Sequence, residues 1–95
     1  MNKKVSAIKS YLKELYPDQI HDYEAQDCSR FYCFYVRQSR TEQLILKITD
    51  ICLDDRKVDE ITTLIGTELK DVLESNVNNI VLLRKDFSYT VQEVA

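Results

Sequence analysis

The sequence predicts an α+β domain of two layers, with two helices packed on one face of a four- or five-stranded, mainly antiparallel sheet. Three observations carry that reading. Apolar residues recur at three- and four-residue spacing in two segments, beginning at Val5 and at Val58. Runs rich in aromatic, leucine and β-branched side chains fill the stretches between and after them. One Gly and one Pro in 95 residues leave few breaks in regular structure. Hydrophobic content of 44% and charged content of 31% are ordinary for a folded chain, and residues 1–95 read as one domain.

In the first helical segment Val5, Ile8, Leu12 and Leu15 form one stripe, with Lys3, Lys4, Lys9 and Lys13 at polar positions. Pro17 disfavours helical geometry at Tyr16 and marks the stop. Asp18, Asp22, Glu24 and Asp27 then dominate a stretch with little apolar content, read as a loop with a short edge strand around Ile20 to Ala25. Arg30 to Arg37 and Glu42 to Ile51 form the arms of a β-hairpin. The residues between them include no Asn-Gly or Asp-Gly pair, which predicts a connection longer than two residues.

Asp54 and Asp55 offer side-chain oxygens to the open amides of a second helix, with Asp59 and Glu60 in its first turn. Val58, Ile61, Ile65, Leu69 and Val72 make its stripe, Leu64 and Leu73 widen it, and Asn76, Asn78 and Asn79 end it. Gly66 lies inside this helix at a cost of about 1 kcal/mol relative to alanine, which points to close backbone approach to another element. Ile80 to Leu83 and the alternating stretch Phe87 to Val94 follow, as a second hairpin or as one bent strand. No repeat, low-complexity tract or linker interrupts the chain.

Several function classes are disfavoured by what the chain lacks. A formal charge of −3 opposes general adhesion to nucleic acid or anionic lipid. Arg30, Arg37 and Arg40 near Tyr32 and Tyr35 are the best material for stacking on bases, but core-filling rings and solvated arginines are the stronger reading. The longest apolar run, Phe31 to Val36, is far shorter than the ~20 residues of a membrane span. Lys9, Lys13 and Glu14 interrupt any leader begun by Lys3 and Lys4, so a cytoplasmic location is expected. Cys28, Cys33 and Cys52 match neither a redox pair nor a zinc spacing and read as buried thiols. His21 is the sole histidine, and Asp18, His21, Asp22 and Glu24 follow no metal-loop pattern. With no glycine-rich phosphate loop either, no catalytic residue, cofactor or metal is expected.

The positive signal is surplus apolar surface. In a strand from Phe31 to Val36, Tyr32, Phe34 and Val36 face one way while Phe31, Cys33 and Tyr35 face the other. Ile80 and Leu82 oppose Val81 and Leu83 likewise, and Leu44, Leu46 and Ile48 oppose Ile45 and Ile51. Two helices, each ~10 Å across, cover about one face of a sheet roughly 20–24 Å wide. The expected interface is therefore drawn from Phe31, Cys33, Tyr35, Ile45, Val81 and Leu83, with homodimerisation the economical partner. A second reading uses charge: residues 50–75 hold eight acidic and three basic side chains, as in a small inhibitor or nucleic-acid mimic acting on a basic protein.

Overall fold

Helix α1 (Lys3–Leu15) buries Val5, Ile8 and Leu12, the expected stripe, and ends just ahead of Pro17. The computed structural model describes residues 3–26 and 31–93. Strands β1 (Ile20–Gln26), β2 (Phe31–Arg37) and β3 (Gln43–Thr49) follow as an antiparallel meander. A helical crossover of α2 (Asp50–Asp55), α3 (Val58–Leu64), a π-helical turn (Ile65–Leu69) and α4 (Lys70–Ser75) leads to β4 (Ile80–Leu83). That strand lies parallel to β3, and β5 (Tyr89–Gln92) pairs antiparallel with it, so the five-stranded sheet runs β1-β2-β3-β4-β5.

The predicted α+β fold is therefore present, with one parallel pairing in a mainly antiparallel sheet. Two local expectations are met. The acidic stretch after Pro17 builds the expected edge strand, extended by one residue to Gln26, with His21 and Tyr23 paired with Val36 and Phe34 on one face while Ile20 and Asp22 alternate to the other. The second hairpin is a true hairpin, not a bent strand.

Asp54 and Asp55 do not start the second helix; they end α2, whose amide at Cys52 donates to Thr49 Oγ1 at 3.2 Å. The long helix begins three residues later, where Glu60 reaches back to accept from the Lys57 amide at 3.1 Å. The last turn of α2 has no basic residue of its own. Lys4 of α1 supplies one, donating from Nζ to the carbonyls of Leu53, Asp54 and Arg56 at 2.8, 3.0 and 3.1 Å.

Ile61, Ile65, Leu69 and Leu73 are all buried, a strict four-residue repeat. At 3.6 residues per turn each four-residue step overshoots by ~40°, so an unbroken α-helix would carry the last of them ~120° away from the first. The π turn, in which the Lys70 amide reaches the Ile65 carbonyl, takes up the extra residue and returns the stripe to the sheet.

These side chains pool with Phe34, Val36, Leu44, Leu46, Ile48, Val81 and Leu83, which the strand register places on one sheet face. Asn78, in the left-handed region at φ 68°, ties the helical exit to the meander. Its Oδ1 accepts from the Gln43 amide and its Nδ2 donates to the Thr41 carbonyl, both at 2.9 Å. The turn between β4 and β5 is more strained. Phe87 adopts φ 65°, which costs an aromatic residue ~1–2 kcal/mol, and its amide donates to the Arg84 carbonyl at 2.9 Å.

Tyr16 closes the core beside α4. It is 6% exposed, and its hydroxyl has no hydrogen-bond partner among the described residues. Burial, with Glu74 and Asp71 adding to it, pushes its pKa up to about 12. The unfolded chain sheds this proton near pH 10 while the folded one keeps it, so stability is fully present below pH 10 and falls as pH rises toward about 12. Tyr16→Phe should raise stability at pH 8 by ~1 kcal/mol and flatten the alkaline fall, as read by urea unfolding at pH 8 and pH 11. A variant less stable than the parent at pH 8 would show that the hydroxyl is satisfied after all.

Candidate interaction surface

The face of the sheet turned away from the shared core can be read directly from the register. Tyr35 stands between Asp22 and Ile45, Ile45 meets Ile80, Cys33 meets Lys47, Lys47 meets Leu82, and Phe31 meets Thr49. Four of the six expected residues, Phe31, Cys33, Tyr35 and Ile45, therefore share this face. Val81 and Leu83 do not. They pair with Leu46 and Ile48 on the opposite side and are 0% exposed in the core, so Ile80 and Leu82 take their place on the outer face. Ile51 is also misplaced by the strand reading, since it belongs to α2 and is 50% exposed.

The outer face shields part of its own apolar area. Cys33, Ile45 and Leu82 are 2%, 6% and 7% exposed although none belongs to the core shared with the helices. Lys47, between Cys33 and Leu82 in the register, extends its ammonium to 4.5 Å from the Phe31 ring centre, which lays its methylene stem along the face. Phe31, Tyr35 and Ile80 remain half-buried. Around them stand Arg37, Lys47 and Asp22, while Arg84 donates to Thr90 Oγ1 at 3.0 Å. The surface is thus an aromatic and aliphatic centre with charges of both signs near it.

Other sequence candidates separate. Tyr32 faces the core and stacks with Tyr23 at 6.2 Å between ring centres, so it does not join Tyr35 on one surface; Arg30 lies outside the described residues. His21 and Asp22 alternate to opposite faces of β1, and His21 Nε2 lies 2.8 Å from the Tyr16 carbonyl. Among the described residues no group of three His, Cys, Asp or Glu side chains is placed to hold a metal ion. Cys33 and Cys52 are buried, as expected, and Cys28 lies outside the described residues. Burial pushes the Cys52 thiol up to about 11, against the opposing pull of Arg56, which disfavours the nucleophilic thiolate.

Comparison of the chain with protein-family models, curated proteins and solved structures found no match. No helix among the described residues is long and apolar enough to cross a membrane. The acidic segment identified in the sequence forms the exposed side of the helical layer, where Asp59, Glu60, Glu68, Asp71 and Glu74 are all exposed. Lys70 pairs with Glu74 at 3.1 Å, and Arg56 approaches Glu60 at 3.9 Å.

Proposed function

We propose that this protein is a non-catalytic interaction module that pairs with a second copy of itself through the outer face of its sheet. The observation that supports this reading is the row of half-buried Phe31, Tyr35 and Ile80 on the face that does not contribute to the helical core. Aromatic residues flanked by arginine are the composition that protein interfaces favour at their centres. Charge supports self-pairing, since each copy brings both signs to the patch: Asp22 beside Tyr35, Arg37 one step beyond Tyr35 on β2, and Lys47 beside Cys33. An isologous pairing sets each sign of one copy against the other sign of its mate.

Sedimentation equilibrium at micromolar concentration tests the proposal. The expected mass is that of two 11.2 kDa chains. Tyr35→Glu places a carboxylate in the apolar centre and should return a single-chain mass with an unchanged circular dichroism spectrum. A parent protein that stays monomeric across the concentration range defeats the homodimer.

A further inference from the structure

A second surface lies on the helical layer, where the turn between β4 and β5 carries Phe87 toward α3. The ring is held there in spite of its left-handed backbone. The Arg84 amide donates to the Ser88 carbonyl at 3.0 Å, and the Asp86 carboxylate accepts from the Ser88 amide and hydroxyl at 2.9 and 2.5 Å. Arg56 pins the turn from the other side: its Nε donates to the Lys85 carbonyl at 2.8 Å and its guanidinium stands 4.6 Å from the Phe87 ring centre. Lys85 completes the attachment through Asp55 at 2.9 Å. A strained aromatic residue fixed by so many contacts is the kind of feature that accompanies a working surface.

Between that ring and the helix runs an open groove of ≈ 460 Å³ lined by Asp59, Glu60, Thr63, Leu64, Thr67 and Phe87. Leu64 and Phe87 are half-buried and supply its apolar wall. Thr67 donates its hydroxyl to the Thr63 carbonyl at 2.8 Å, so that polar group is already satisfied. One end is acidic. The neighbouring cation, Arg56, is engaged by Phe87, the Lys85 carbonyl and Glu60, and Asp59 has no ion-pair partner among the described residues.

We infer that this groove receives a segment of a partner protein in which a large apolar side chain stands next to lysine or arginine. The apolar wall takes the anchor and Asp59 takes the cation, beside a Glu60 already paired with Arg56 and accepting from the Lys57 amide, an arrangement that rejects acidic segments by like-charge repulsion. The inference does not rest on self-pairing, because the groove and the outer sheet face lie on different layers.

The test uses a fluorescein-labelled amphipathic peptide of leucine and lysine, titrated into the full chain and followed by anisotropy and amide chemical shifts. A serine–lysine peptide of equal charge and a leucine–glutamate peptide are the controls. Saturable binding of the leucine–lysine peptide alone, with shifts at Thr63, Leu64, Thr67 and Phe87, is expected. Thr63→Arg, which fills the groove and adds one positive charge, should weaken it at least tenfold. Asp71→Asn makes the same charge step outside the groove and should leave affinity within twofold. Equal weakening by both variants, equal binding of the serine–lysine peptide, or no binding at all would overturn the inference. Phe87→Gly supplies an independent reading, since it removes the ring at a φ that glycine adopts freely: a folded chain by circular dichroism with peptide binding lost is expected, and retained binding counts against the groove.

Discussion

Replacing Lys4 by methionine is expected to lower the unfolding free energy by about 2 kcal/mol. The substitution keeps most of the apolar stem and removes only the ammonium, which donates to the carbonyls of Leu53, Asp54 and Arg56. Those carbonyls gather where α2 ends, and the last turn of that helix holds no basic residue. Lys4 itself sits in the first turn of α1, the end at which a helix dipole disfavours positive charge. Its position therefore makes sense only through the contact with α2. Denaturant unfolding should show a lower midpoint with an unchanged m-value. A loss below ~0.5 kcal/mol would mean that water replaces the ammonium at little cost.

The second expected result is a change of sign at Gly66. Alanine there ought to stabilise an ordinary helix by about 1 kcal/mol. In this fold a methyl group at Gly66 collides with the hydroxyl oxygen of Tyr11, and the ring carbon Cζ lies 3.4 Å away. Tyr11 packs against the core and has limited room to retreat, so Gly66→Ala should destabilise by about 1 kcal/mol as overpacking outweighs propensity. Tyr11→Phe removes the colliding oxygen. In that background Gly66→Ala should become neutral or stabilising, giving a coupling of ~1–2 kcal/mol in the double-mutant cycle. Additive single effects would show that the two residues do not meet. The sequence placement of Gly66 pointed to close approach of another backbone; what meets it is the side chain of Tyr11 on α1.

The helices and the two inner strands were legible because their apolar periods are long and unambiguous. Val5, Ile8 and Leu12 report one face of a helix, and Ile61, Ile65, Leu69 and Leu73 report another. The strict spacing of the latter four also contains the signal for the π turn, since an α-helix of that length cannot keep them aligned. β1 read from the sequence only as a short edge strand within a loop, because its composition is acidic; the feature that fixes its two faces is the alternation of His21 and Tyr23 with Ile20 and Asp22, not the charge count. The outer face was half legible. In β2 the chain runs apolar on both sides and the partner strand decides which side is which. In β4 all four residues are apolar, so the pattern has no phase, and only the parallel register with β3 shows that Val81 and Leu83 turn inward. Lys47 was hidden for a different reason: a lysine covering its neighbours with methylenes is invisible to any apolar count.

A sheet whose spatial order repeats its chain order has two open rims, β1 and β5, each with a row of backbone groups open to pairing with another strand. Here the first rim carries the exposed carboxylate of Asp22, and the second is only four residues long with every side chain exposed to solvent. Both devices blunt end-to-end accretion into fibres. They disfavour open-ended growth along the sheet edges.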